Sequence, residues 1–433
     1  MEKYYSFQSD LEKNVSFSID RSAFGNLELS NMMENVIDSK TDTTWIVGIG
    51  GSLYAAPLIS DDVIYIGACD KNFYAIDAES GTELWRFSTG DVIISTAAID
   101  NGVIYFGSYD GNLYAVNTKG GLVWKFAAGD KVYSDPCIWK DKIYFGSHNG
   151  NIYAVNKVTG HLVWSLGTHG SIASSGMIDN DTLYIGSTDK NLYAINAETG
   201  EIKWKFPTGD VVRHKPEKLN EKIIFVSLDG SARAVNEDGE LLWKFDTGDG
   251  ISSYPLLFGD IIFIGSRDMN WYALNEDGEL LWSYKGKGYP NELVVVGDKV
   301  YIGCCENGLY ILDKKTGKEL EVLPTGGWVV RIRNYKDRIY FSCWDCNLYS
   351  ITRDPELVWK FHTSLSSQSP LETGEQSPTK TLEIVWADQT LSDKEDEYKE
   401  KNKPDIEFGG YGNFDTGYSM NTYYVRKKKN RYG

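Results

Sequence analysis

Histidine is scarce, with five residues in a chain of 433. Catalysis built on imidazole has little material here. No HExxH zinc motif occurs, and no Ser/His/Asp set stands apart from the rest of the pattern. A GxxxxGK phosphate loop is missing too. These absences remove the common sequence grounds for an enzyme. No stretch of 18 apolar residues exists, so no transmembrane helix is expected. Residues 1–20 lack a basic start followed by an apolar run, so no secretory signal is expected. Basic residues are in deficit, 44 against 61 acidic ones, for a net charge of −17. That excludes a body that coats nucleic acid or anionic lipid, while leaving room for a local basic patch. The six cysteines, in a long chain without a signal, read as free thiols of a reducing compartment, and the expected location is cytoplasmic.

What the chain does contain is glycine and aromatic residues: 43 Gly, 28 Tyr and 13 Trp, with 42% hydrophobic residues overall. The apolar share is ample for a packed core and rules out global disorder. The mixture favours strands joined by tight turns over helices. Length alone suggests about three domains, but the chain repeats itself, and that overrides the length argument. Trp85, Trp124, Trp164, Trp204, Trp243 and Trp282 are spaced by 39, 40, 40, 39 and 39 residues. A second aromatic keeps the same beat: Tyr65, Tyr105, Tyr144, Tyr184, Phe225, Phe263, Tyr301, Tyr340.

Each unit reads as four short strands. In the second unit, residues 92–99 read as strand A, 103–108 as B, 112–116 as C and 122–126 as D. Asp110-Gly111 joins B to C and tolerates the positive φ that a tight hairpin demands. Eight such units fit between about residues 52 and 361. A four-stranded unit of this size cannot bury both faces alone. Radial stacking around an axis solves this and leaves few free edges. The predicted fold is therefore all-β, an eight-bladed β-propeller of four-stranded antiparallel blades, with a largely disordered C-terminal tail. The recurrent Trp is expected between blades. Burying an aromatic of about 150–250 Å² there contributes at most about 4–6 kcal/mol.

The expected domains are an N-terminal arm (1–40), the propeller (41–361), and a linker with a flexible acidic then basic and aromatic tail (362–433). Two segments compete for the outermost strand of the closing blade, residues 43–47 and residues 357–361. Residues 363–379 are rich in Ser, Thr, Pro and Gln, and read as linker. Residues 381–386 are a candidate strand on the rim, and 393–407 a charged solvated stretch. The chain then runs through Tyr418, Tyr423 and Tyr424 to Arg426, Lys427, Lys428, Lys429 and Arg431. Aromatic and cationic interleaving of this kind binds RNA by stacking and charge, or serves as a solubilising or partner-folded tail.

The segments Ala75-Ile76-Asp77-Ala78-Glu79-Ser80-Gly81-Thr82-Glu83-Leu84-Trp85 and Ala194-Ile195-Asn196-Ala197-Glu198-Thr199-Gly200-Glu201-Ile202-Lys203-Trp204 resemble the repeat of the PQQ-like (quinoprotein-type) propeller family. The resemblance covers about seven-tenths of the chain. It is specific for the fold and weak for function, because the family includes quinoprotein alcohol dehydrogenases, the propeller subunit of a bacterial outer-membrane assembly machine, and propellers that bind no quinone. In the quinoproteins a calcium ion, an acidic base and a vicinal disulfide hold the cofactor at the axis. Cys304-Cys305 are adjacent here, but they fall at strand B positions and not in a long loop.

Two sets of residues depart from the repeat. Cys69, Cys304, Cys305, Cys343 and Cys346 all belong to the face that carries the B–C turns and D–A loops. Cys343-Trp344-Asp345-Cys346 has CxxC spacing, and with Cys304 and Cys305 it offers four sulfur ligands for zinc or iron. Zinc–sulfur bonds of about 2.3 Å require close convergence. The alternative is cysteine as a small apolar filler, since Ala68, Ser108, Ser147 and Ser187 stand at like positions. On the innermost strands Ala55, Ser95, Ser134, Ser174 and Ser253 are small, whereas Arg213-His214-Lys215, Asn291-Glu292, and Arg331 with Arg333 are not. His214, Asn291 and Arg331 are read in register with the serine column. Together these residues make a cationic channel mouth for an anion or a partner's carboxylate. The competing reading has them solvated or paired with Asp135 and Glu292.

The expectation is thus a non-catalytic propeller that acts as a protein-interaction scaffold, with partners on the loop face and no cofactor. One alternative is a redox protein holding PQQ or a metal on the cysteine-bearing face. Another is a propeller tethered to nucleic acid by its basic tail.

Overall fold

The computed structural model describes residues 52–306 and 308–363. Their strands form eight four-stranded antiparallel sheets, each built from four consecutive strands. The blades span residues 58–88, 98–127, 137–167, 177–207, 217–246, 256–285, 290–324 and 329–362. The expected eight-bladed propeller is therefore present. The N-terminal arm, residues 43–47, the rim candidate 381–386 and the basic tail lie outside the described residues. The outermost strand of blade 8 is Leu357–His362, paired with Asn347–Thr352, so His362 belongs to the last strand.

Strands B and C are buried on both faces, which is why segments such as Lys142–Gly146 read as nearly continuous apolar runs. Strand D alternates between exposed and half-buried positions. The core lies between blades. One cluster joins Tyr105, Leu113 and Ala115 of blade 2 to Ile143, Phe145 and Val155 of blade 3. Each recurrent Trp fastens such a joint from the rim. Trp124 Nε1 donates to Lys157 O of the next blade at 3.1 Å, Trp164 to Ala197 O at 3.0 Å and Trp243 to Glu276 O at 3.0 Å. The ring closes the same way. Trp359 Nε1 donates to Ala78 O of blade 1 at 3.1 Å, beside Tyr340 Oη at 3.2 Å.

Strand A is shorter than residues 92–99. In blade 2 it is only Ala98–Asp100, and in blades 1 to 6 it has three residues. In blades 2 and 6 a serine takes the place of the next rung. Ser95 Oγ accepts from Gly107 N at 2.7 Å and donates to Gly107 O at 3.0 Å, so a side chain replaces the next rung of the ladder. Ser253 does the same with Gly265 N at 2.6 Å. In blades 7 and 8 the equivalent residues are Glu292 and Arg331. There the backbone ladder itself continues past a bulge, and strand A lengthens to seven residues, Pro290–Val296 and Val329–Tyr335.

Candidate functional site

The loop face is stiffened by acidic turn residues that bind two blades at once. Asp110 accepts from Asn112 N at 3.1 Å and Tyr114 Oη at 2.7 Å within its hairpin, and from Gly90 N of the preceding loop at 2.8 Å. Asp268 repeats this with Asn270, Tyr272 and Gly248. In blade 5 the tyrosine becomes Arg233, whose Nη2 lies 2.6 Å from Asp229 Oδ2. Burial alone would raise the Asp229 carboxyl. Hydrogen bonds from Arg233 and from the Gly209 and Ser231 amides outweigh it and hold the group down at about 2.

Within this frame, side chains from most of the blades converge on the axis. Glu292 faces Gly303 across its ladder as Arg331 faces Ser342, so Glu292 shares the register of Arg331. Asn291 sits in the bulge instead, one residue off the expected register, and its Nδ2 donates to Val329 O at 2.9 Å. Arg331 is 9% exposed and reaches three other parts of the ring. Its Nη1 lies 3.3 Å from Glu292 Oε1, its Nη2 donates to Tyr254 Oη at 2.6 Å, and its Nε donates to Tyr54 O at 3.4 Å. Arg333 Nη1 takes the other Glu292 oxygen at 2.8 Å, and the Ile332 amide donates to that oxygen at 2.9 Å. Lys215 pairs with Glu217 at 2.9 Å. Pairing thus accounts for Arg331, Arg333, Glu292 and Lys215.

Burial disfavours the Arg331 charge, but Tyr254, Glu292 and Asp135 more than offset this and raise its pKa above the ordinary arginine value. Burial pushes the Tyr254 hydroxyl up to about 12. His214 is 6% exposed and stands edge-on to Tyr254, with ring centroids 4.7 Å apart. Burial first, then Arg213, Arg331 and Arg267, hold its pKa well below the ordinary histidine value, so the ring is neutral at neutral pH. Its Nε2 is buried without a hydrogen-bond partner among the described residues.

An aromatic wall adjoins this network. Trp328 and Trp344 stack with centroids 3.8 Å apart, and Tyr54 lies 5.1 Å from Trp344. Tyr109, Tyr133 and His148 form a second group, with centroids about 6 Å apart. Tyr54, Tyr109, Tyr133, Tyr254, Arg267, Trp328 and Trp344 were not singled out from the sequence as site residues. Their positions vary from blade to blade and so carry no periodic signal.

The four cysteines are not brought together. Cys304 packs in the core between blades 6 and 7, and Cys343 in the core between blades 7 and 8. Cys305 Sγ lies 3.6 Å from Asn291 Oδ1, and Cys346 Sγ 3.8 Å from Trp344 O. Among the described residues no three His, Cys, Asp or Glu side chains are grouped to hold a metal ion. Burial raises the thiols of Cys137 and Cys304 to about 11 and Cys346 to about 12. The residues also do not fit the quinone cradle that the repeat implies. Cys304 and Cys305 are separate free thiols, one of them in the core, and Arg331 crosses the axis with its charge already matched.

Known structures share the fold. The computationally designed Ika8 protein aligns with a TM-score of 0.64 at 14% identity, over 71% of this chain and 98% of its own. BamB from Moraxella catarrhalis aligns at 0.60 and 18%, over 70% and 97%. Quinohemoprotein alcohol dehydrogenase from Comamonas testosteroni aligns at 0.58 and 15%, over 68% and 71%. A search of curated proteins gave no significant match. A family model described as "Beta-alanine-activating enzyme, beta-propeller" matches residues 60–289, blades 1 to 6. The chain is a PQQ-like propeller, and since that match spans more than half of its length, it belongs to the family so described.

Proposed function

We propose that the protein is a non-catalytic interaction platform that docks a partner protein on its loop face, at the aromatic and cationic mouth of the axis. The Trp328–Trp344 stack with Tyr54 against it, beside the Arg331 network, carries this reading. Tyr, Trp and Arg dominate binding hot spots because they combine large contact area with a polar tip. The mouth is also held rigid by inter-blade bonds such as Gly90 to Asp110, so little ordering remains to oppose association. The reading takes the setting to be reducing and cytoplasmic, where cysteines persist as thiols. The tail residues Arg426 to Arg431 lie outside the described residues, and nucleic-acid tethering takes no part in this reading.

The test is quantitative affinity capture with the full chain, with Trp344→Ala, and with Leu162→Ser on the distant rim. A protein captured by wild type and by the rim variant, but lost with Trp344→Ala, is the expected result. Equal capture by all three would refute docking at the mouth. A chromophore bound at one per chain in the purified protein would favour the redox alternative.

A further inference from the structure

We infer that a cleft at the outer joint between blades 4 and 5 binds alkylammonium groups. It lies on the face of the A–B and C–D turns, opposite the axial mouth, and does not depend on docking there. The cleft is open and holds about 430 Å³, room for a small organic molecule. Asp179 and Asp181 reach it from the A–B turn of blade 4, and Glu237 and Asp238 from the C–D turn of blade 5. Tyr184 and Trp204 add aromatic surface. At the two preceding joints these turns carry opposite charge: Asp100 meets Lys157 at 2.7 Å, and Lys140 meets Glu198 at 3.0 Å. Here acid faces acid. The chain itself bridges them with a cation, since Lys218 Nζ lies 2.5 Å from Asp179 and 2.8 Å from Glu237. Lys203 Nζ lies 2.8 Å from Asp181. Four carboxylates against two ammonium groups leave the cleft negative, with Asp238 in no ion pair among the described residues.

A second feature sets this joint apart. Tyr105, Tyr144, Tyr301 and Tyr340 each donate their hydroxyl to a carbonyl of the next blade. Tyr184 is 1% exposed and makes no such bond, and Glu237 O receives Trp204 Nε1 alone, at 2.7 Å. The Tyr184 hydroxyl turns instead to Thr182 in the cleft wall, and its oxygen keeps a lone pair for a donor in the cleft. An alkylammonium group is a compact charge with three donors, and its methylene stem packs on aromatic surface. A bare divalent ion needs several carboxylates gathered around one point, and no such group is found among the described residues. The source of the ammonium is a free polyamine or a lysine of a partner.

The test is isothermal titration calorimetry of the full chain at constant ionic strength, with spermidine, with the peptide acetyl-Lys-Lys-Lys-amide and with magnesium chloride. Asp238→Asn removes charge without breaking an ion pair, and Tyr184→Phe keeps the ring and removes the hydroxyl. Asp298→Asn, at an exposed acid of another joint, controls for general attraction to a chain of net charge −17. Folding of each variant is checked by circular dichroism. Spermidine or the peptide should saturate at one per chain. Affinity should fall about fivefold in Asp238→Asn and in Tyr184→Phe, and less than about twofold in Asp298→Asn. Saturation by spermidine assigns a free amine, and saturation by the peptide alone assigns a partner's lysine. No saturable binding of either, unchanged affinity in both cleft variants, equal losses in all three variants, or tighter binding of magnesium than of spermidine would overturn the inference.

Discussion

The Trp joint can be dissected by a double-mutant cycle on Trp124 and Gly160. Gly160 has φ +70°, and a Cβ there would lie 2.7 Å from Trp124 Cδ2. Gly160→Ala therefore carries two penalties. The left-handed backbone costs about 1–2 kcal/mol for a residue with a Cβ. Overlap with the indole adds about 1–3 kcal/mol. Trp124→Ala should cost about 3 kcal/mol, the low end for a large aromatic, because the ring is half-buried. The Lys157 carbonyl is not orphaned by that change, since Tyr105 Oη also donates to it at 3.1 Å. In the Trp124→Ala background only the backbone penalty of Gly160→Ala remains, so a coupling of about 1–3 kcal/mol is expected. Gly102 supplies the calibration. It has φ +74° with nothing within 4 Å of an added Cβ, so Gly102→Ala reports the backbone penalty alone. Urea unfolding followed by far-ultraviolet circular dichroism measures all four corners. The reasoning fails if Gly160→Ala costs no more than Gly102→Ala, or costs the same with and without Trp124.

Glu292→Gln should destabilise by about 3–5 kcal/mol in urea, because it leaves buried Arg331 without its counter-charge. Arg331→Met should cost less, since Glu292 keeps Arg333 at 2.8 Å and the Ile332 amide at 2.9 Å; the reverse order would contradict the network. Asp229 titrates at about 2 in the folded chain, below its unfolded value near 4. Its contribution is present above pH 4 and lost as pH falls through 2, on the order of 1 kcal/mol once solvent screening is allowed for. Asp229→Asn should flatten the stability profile in that window, and an unchanged profile would reject the assignment. Thiols raised by burial react slowly, so at pH 8 the native chain should show at most one fast-reacting cysteine towards a disulfide reagent, and all six after denaturation. Several fast thiols in the native state would count against the burial described.

The fold was legible because its information is periodic. Trp at a 39–40 residue beat, short B–C turns that carry Asp in most units, and apolar B and C strands all repeat, and each copy votes for the same geometry. Strand A was misjudged for a local reason. Ser95 looks like an ordinary strand residue, but its hydroxyl closes onto Gly107 and ends the ladder. Nor does sequence reveal the Asn291 bulge, because one residue's slip at Pro290 is invisible until the ladder is paired. Of the site, the charged members were found as breaks in the serine column. Tyr254 and Arg267 were missed because their positions, next to the column residue Ser253 and in the B–C turn, vary from blade to blade. The cysteines misled in the opposite direction. They share a face in the sequence pattern, yet Cys304 and Cys343 turn into separate cores.

The two long inner strands and the one joint without a rim Trp lie in blades 7 and 8, beyond the reach of the family model at residue 289. Seven joints carry a rim Trp, but the joint from blade 7 to blade 8 does not. Glu321 faces Ile311 where Trp124 faces Ala115, and the turn at residues 352–356 has no glycine. Tyr301 Oη still donates to Arg353 O at 2.5 Å, so the tyrosine half of the joint survives. The loss is offset nearer the axis, where the seven-residue inner strands of these two blades pack against each other. The same two strands carry Glu292 and Arg331, which place charge at the mouth. Cohesion has moved from the rim to the axis in one sector, and local stability should move with it. Amides in residues 319–324 and 352–356 should exchange hydrogen faster, after correction for intrinsic rates, than those in 280–285 and 313–317, whose joint keeps Trp282 bonded to Lys314 O at 2.8 Å. Equal protection at the two joints would mean that the Trp contributes nothing to holding the rim closed.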